Sequence, residues 1–335
     1  MLETLPGEII GDSAEAQSLR RFVEFAAKCH NPVTLTGEAG TGKETAARLI
    51  HEASERKAEP FLGVDCALFY ERELKRELFG YCAGGSFRRK GRKGLFEFAS
   101  KGTCYLSRIE ELSPGIQTDL LQFLKSNAFT RLGDGQRIPS AVRIVVSSTK
   151  NLTGFVEAGL FDKNLHEILS RVSARIVPLR ERRTDVSAIV RQLVAVHGME
   201  HPGKAAATFS AEALEALEAY PWPGNLDELE KEILRLLGSS QGTIRPEHLA
   251  MEIVNCYLGQ RGDPLVRSVL DELDGHIREF RVLSRLDLSY VEFLNVVGKG
   301  EAKLTTSSRE DVAVLLDSLE EGDEESVDDD VRGEQ

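Results

Sequence analysis

Gly37-Glu38-Ala39-Gly40-Thr41-Gly42-Lys43-Glu44 decides the fold of this chain. A short apolar run, Pro32-Val33-Thr34-Leu35-Thr36, precedes it and reads as a buried strand. Thr45 to Ala53 follows with helical periodicity. Glycines between a strand and a helix let backbone N–H groups converge on phosphate oxygens. The helix behind them offers the positive end of its dipole. Lys43 is placed to reach β- and γ-phosphates as a mobile charge. A Ser or Thr commonly follows that lysine; here Glu44 does, with Thr45 next. Gly37, Glu38, Ala39, Gly40, Thr41, Gly42, Lys43 and Glu44 are therefore the candidate nucleotide-binding residues.

Outward from this loop, strand and helix patterns alternate. Leu19 to Cys29 has the spacing of an amphipathic helix, and Phe61 to Val64 reads as a strand. Leu68 to Phe79 is helical in pattern, as is Ile116 to Leu124. Thr103 to Leu106, Val142 to Val146 and Ala174 to Val177 are further strands. Such alternation predicts an α/β domain, a parallel sheet with helices on both faces, over 1–182. Helical patterns then dominate, at Asp185 to His197, Ala211 to Tyr220, Leu226 to Leu237 and Glu247 to Val254, punctuated by Pro221-Trp222-Pro223-Gly224. They predict a small all-helical lid domain over 183–253, a helical segment over 254–305 and an acidic tail over 306–335.

Composition narrows the function classes. The 335 residues are 41% hydrophobic, as in a soluble globular protein, and no apolar run is long enough to span a membrane. No secretory signal opens the chain, so a cytoplasmic location is expected. The five cysteines form no C-x-x-C pair, which argues against a disulfide framework and a zinc site. His197 and His201 lie four apart, but Gly198 and Pro202 are expected to break a helix there, and no metal site is assigned. Of the net charge of −12, the stretch from Glu310 to Gln335 carries −11, so the remainder is close to neutral. A block of like charge of this kind is expected to stay solvated and disordered.

From about Ile9 to Ile253 the chain resembles the central AAA+ ATPase domain of bacterial enhancer-binding proteins, the activators of sigma-54 RNA polymerase. The resemblance rests on the loop at 37–44, Glu77-Leu78-Phe79-Gly80, Gly102-Thr103 before a strand, Leu179-Arg180-Glu181-Arg182-Arg183-Thr184-Asp185, and Tyr220-Pro221-Trp222-Pro223-Gly224-Asn225. Glu44 fits it too. It implies a P-loop α/β domain with a helical lid, ATP or ADP as ligand, rings of subunits, and remodelling of polymerase driven by ATP.

The chain departs from that pattern where the chemistry lies. The family's acidic pair, which positions magnesium and polarises water, falls at Ser107 and Arg108. A hydroxyl cannot replace a carboxylate as a metal-site charge, and a guanidinium cannot accept a proton at neutral pH. The asparagine that restrains the catalytic glutamate falls at Asp65, the sensor asparagine at Thr149, the arginines that reach a neighbour's nucleotide at Asp162 and Ile168, and the lid arginine at Asp227. Glu110 and Glu111 could stand in for the acidic pair only if the strand ran through Arg108 and Ile109. Magnesium is thus placed in doubt and no catalytic residue is assigned. The loop that touches the sigma factor has become basic, with five positive charges over Arg88 to Lys93. Leu270 to Ile277 faintly resembles the first helix of a helix-turn-helix, but Arg278 to Leu294 lacks a basic recognition helix.

Three functions remain open from sequence. The first, and the one favoured, is a nucleotide-binding pseudo-ATPase in transcriptional control, with Arg108 taking over part of magnesium's charge. The second is an active remodelling ATPase. The third is an interaction scaffold using the basic loop at 88–93 and the acidic tail. The expected partner is a protein related to RNA polymerase, to a sigma factor or to AAA+ proteins. A homo-oligomer and DNA binding by 265–298 stay open, and a membrane is not expected. With the resemblance beginning near residue 9, control is expected from partners in trans, from nucleotide or from the C-terminal segment.

Overall fold

In the computed structural model, residues 8–82, 91–201, 207–239 and 242–260 are described. Five strands form one parallel sheet: β1 (Val33–Thr36), β2 (Phe61–Asp65), β3 (Thr103–Ser107), β4 (Arg143–Ser148) and β5 (Ser173–Arg175), in the order β2-β3-β4-β1-β5. Both faces are covered, which is why these strands read as apolar runs. Cys104, Leu106, Ile144 and Val146 face a cluster with Leu74, Phe96 and Phe123. Tyr105 and Val145, one residue out of phase, face Val33, Leu35, Ala47 and Ile50 on the other side.

Register places the site. Thr36 stands opposite Ser148, and Asp65 opposite Ser107. The glycine loop after Thr36, the turn after Ser107 and Thr149 after Ser148 therefore share the carboxyl edge of the sheet. Parallel α/β sheets bind ligands at that edge, where the chain reverses its order of strands.

Several elements differ from the sequence expectations. The first helix runs Ala14–Lys28, because the Ser13 hydroxyl caps it by accepting from the Ala16 N–H at 3.1 Å. Helices Leu152–Glu157 and Lys163–Leu169 were not expected; Asn151 and Asp162 cap them, and each is too short to show a clear period. The loop helix begins at Lys43. Between the 3-10 turn Cys66–Leu68 and the helix Glu71–Phe79, Phe69 and Tyr70 are exposed and outside any helix.

Helices Val186–Glu200, Ala211–Ala219, Asn225–Ser239 and Met251–Gln260 make up the lid. Gly198 does not break the first of these. A single helical glycine costs only about 1 kcal/mol, and apolar packing of Val186, Val190 and Leu193 offsets it. The His197 and His201 rings stack, centroids 4.2 Å apart, at its end.

Two hairpins flank the domain. Gly80–Tyr81 pairs with Arg92–Lys93, and Ala128–Thr130 with Arg137–Pro139. The Leu132 N–H donates to Gly80 O at 3.0 Å and ties one to the other. Residues 88–90 of the basic run, the helix-turn-helix-like stretch at 270–294 and the acidic tail lie outside the described residues. Among those described, no helix is long and apolar enough to cross a membrane.

Candidate functional site

The loop from Gly37 to Glu44 wraps the start of the helix Lys43–Glu52. Gly42 caps that helix in the left-handed region, at φ 91°, and Gly40 is left-handed at φ 71°. A Cβ at Gly40 would collide with the Gly224 carbonyl, so only glycine lets loop and lid meet here. Thr41 is buried and its hydroxyl donates to Glu38 O at 2.9 Å. Lys43 Nζ donates to Gly37 O at 2.8 Å and Glu38 O at 2.6 Å, holding the loop closed on itself. Burial pushes its pKa down, against the opposing fields of Glu110, Asp227 and Glu38. Glu44 points outward and pairs with Arg48 at 3.5 Å.

Arg180 grips Glu38 with both guanidinium nitrogens, at 2.6 and 2.5 Å. This fork, with help from Asn225, holds the Glu38 carboxyl at a pKa of about 2. Asn225 is fully buried at the start of a lid helix. Its Nδ2 donates to Ala39 O at 2.9 Å, and its Oδ1 accepts from the Leu179 N–H at 2.8 Å. The Leu226 N–H donates to Gly40 O at 2.9 Å. Two motifs far apart in sequence, Leu179-Arg180-Glu181 and Pro223-Gly224-Asn225, thus meet on the loop.

A narrow slot beside Gly42 was not found from sequence. Ile9, Ile10, Ala46, Ile189 and Leu226 line it, with Arg182 at one side. Its volume is about 40 Å³, smaller than a purine base needs. The strap at Ile9–Gly11 is pinned by Arg20, whose Nη2 donates to Ile9 O at 2.8 Å and also to Gly11 O. Buried Asp185 accepts from Ser13 N at 2.9 Å and from its hydroxyl at 2.6 Å. Asp185 lies in the quoted 179–185 motif, but nothing local names its partner 172 residues away. A cavity of about 540 Å³ opens on the other side of the loop, bounded by Gly37, Glu38, Thr149 and Arg175.

Of the positions where the sequence departs from the resemblance, Arg108, Asp65, Thr149 and Asp162 are engaged within this fold. β3 ends at Ser107, and Arg108 is left-handed at φ 52°. Arg108 Nε donates to Asp65 Oδ1 at 2.6 Å, and its Nη2 pairs with Oδ2. Its charge is thus matched by Asp65 rather than free to replace magnesium. Glu110 and Glu111 sit on a 3-10 turn, not on a lengthened strand. Glu110 is buried nonetheless, and its Oε1 accepts from Thr149 N at 2.9 Å and from the Thr149 hydroxyl at 2.7 Å. Its Oε2 is buried with no hydrogen-bond partner. Glu111 pairs with Lys150 at 2.9 Å. Asp162 caps the helix Lys163–Leu169 by accepting from the Leu165 N–H at 2.8 Å. Ile168 is half-buried on that helix. Asp227 faces the loop; its carboxyl carbon lies 3.3 Å from where a Cβ on Gly40 would stand.

These side chains fit the phosphates of a nucleotide, and the residues at the end of β3 do not offer the paired carboxylates that the resemblance implies for magnesium. The loop amides and helix N-terminus suit phosphates. At the end of β3 there is a serine in place of a carboxylate, and Asp65 is bound to a guanidinium.

A separate cavity of about 620 Å³ shares no residue with the loop and is lined by Lys75, Lys125, Arg131 and Arg137. Within the basic hairpin, Arg92 pairs with Glu77 at 2.8 Å and Lys93 with Glu97 at 3.1 Å.

Comparison with known proteins agrees with this fold. The family described as the Sigma-54 interaction domain matches residues 9–175, and the AAA+ ATPase lid domain matches 180–260. The Nif-specific regulatory protein of Bradyrhizobium diazoefficiens is 38% identical over 236 residues, 70% of this chain and 40% of that protein. The HTH-type transcriptional regulatory protein TyrR of Salmonella typhimurium is 32% identical over 284 residues, 84% of this chain and 54% of that protein. The crystal structure of NtrX from Brucella abortus in complex with ATP is 29% identical with a TM-score of 0.68, covering 73% of this chain and 55% of that one. The complex of the same protein with ADP has a TM-score of 0.65 at 30% identity, with the same shares covered. The chain spans about half the length of the relatives it matches, 40% and 54% of the two regulatory proteins.

Proposed function

The chain belongs to the sigma-54 interaction family of AAA+ proteins, and from that premise we propose that it is a regulatory protein that binds ATP or ADP and turns it over slowly or not at all. It acts in transcriptional control through a protein partner, related to RNA polymerase, a sigma factor or another AAA+ protein. One observation carries the reading: the phosphate loop is whole and braced by Arg180 and Asn225, while Arg108 is spent on Asp65. Binding needs the backbone amides of 37–43, which the substitutions leave alone. Hydrolysis needs a base for water and positive groups for the transferring phosphate. At those places stand a serine, an arginine in an ion pair, and an aspartate used as a helix cap.

Binding and phosphate release measured together on purified protein test this. The expected result is nucleotide binding that Lys43→Ala abolishes, weak dependence on magnesium, and phosphate release no faster than in that variant. Turnover near 1 per second, at the low end for enzymes, and lost in Lys43→Ala, would overturn it.

A further inference from the structure

We infer that this site selects a nucleoside diphosphate over the corresponding triphosphate. The inference rests on the proposed nucleotide binding and adds the phosphate count.

Among the described residues, four cations at the sheet's carboxyl edge are held in ion pairs. Arg108 is held by Asp65, Arg180 by Glu38, Lys150 by Glu111, and Arg175 by Glu181 at 3.3 Å. Lys43 makes no such ion pair; it is bonded to the loop carbonyls of Gly37 and Glu38. The diphosphate part of a nucleotide is served without these cations, because backbone N–H groups and the start of the helix Lys43–Glu52 cradle it.

The next phosphate shares Lys43 but meets no unpaired cation among the four named. It would extend past Lys43 toward the ends of β3 and β4, where Ser107, Glu110 and Thr149 stand. Glu110 already accepts twice from Thr149 through one oxygen, and its other oxygen is enclosed with no donor. On the lid side the Asp227 carboxyl carbon lies 3.3 Å from where a Cβ on Gly40 would stand. The fields of both carboxylates reach Lys43. Added negative charge between them meets repulsion in a partly desolvated place, where such effects exceed those in water. Ser107 supplies no carboxylate with which magnesium could offset it.

Calorimetric titration of the full chain with ADP, ATP and the β,γ-imido analogue of ATP, with and without millimolar magnesium, tests this. ADP is expected to bind at least about tenfold more tightly than either triphosphate in both conditions. Glu110→Gln with Asp227→Asn is expected to tighten the triphosphates and bring the gap to roughly threefold or less. Gln keeps the oxygen that accepts from Thr149, and Trp222 fluorescence reports whether the variant is folded. Should Glu110→Gln not fold, Asp227→Asn alone, on a half-buried helix position, must narrow the gap. Triphosphate binding as tight as ADP in the wild type, or a gap unchanged in the variants, would overturn the inference while leaving nucleotide binding intact. Folded protein that binds none of the three would overturn the proposed function itself, and the inference with it.

Discussion

Asn225→Ala is the most informative single perturbation of this fold. Asn225 is fully buried, has φ 54°, and joins three segments: the lid helix, Leu179 and the loop at Ala39. Removing its side chain leaves the Leu179 N–H and the Ala39 carbonyl without these partners. A buried group stripped of its hydrogen bond costs about 1–3 kcal/mol. Alanine also tolerates the left-handed region less well than asparagine, with a cost of the order of 1 kcal/mol. Together these give about 3 kcal/mol, a large share of the roughly 5–15 kcal/mol that holds a domain folded. Equilibrium unfolding in urea, followed by circular dichroism, reads the effect as a lower midpoint at unchanged slope. Asn225→Asp keeps the acceptor for Leu179 but sets a carboxylate against Ala39 O and the Glu38 carboxyl, so it is expected to be at least as damaging at neutral pH. A loss below about 0.5 kcal/mol in the alanine variant, the range of ordinary surface changes, would refute the bracing role of Asn225.

Two further outcomes follow from the same contacts. The Glu38 carboxyl titrates at about 2 in the fold against an ordinary 4.5, so its pairing with Arg180 stabilises above the ordinary value and is lost as pH falls toward 2. The gap in melting temperature between wild type and Glu38→Gln should therefore be present at pH 6 and shrink between pH 4.5 and 2; a gap that is constant across this window would sink the pairing. Asp162→Ala should cost about 1 kcal/mol in urea unfolding by removing a helix cap, and Asp162→Arg should cost as much without raising phosphate release.

Much of the fold was legible because its signals are local. The loop at 37–44 sits between an apolar run and a helical period, and both strand and helix formed where those patterns lie. The period failed at Leu152–Glu157 and Lys163–Leu169, where a helix of one or two turns shows too few repeats. The breaker signal misled at Gly198, where packing outweighed a weak propensity. Glu110 was tied to a strand extension that did not occur; a left-handed Arg108 turned the chain and buried Glu110 against Thr149 instead.

By itself the sequence determined the phosphate loop, the parallel α/β plan and the residue types at Ser107, Arg108, Asp162 and Asp227. These are matters of residue type and short spacing. Only the tertiary structure decided what residues around the site do: Arg108 neutralises Asp65 across 43 residues, Glu110 holds Thr149 across 39, and Asn225 clamps the loop at Ala39 across 186. Such pairs leave no periodic trace along the chain. They exist because parallel register brings the ends of β1 to β4 to one edge and the lid folds back over it.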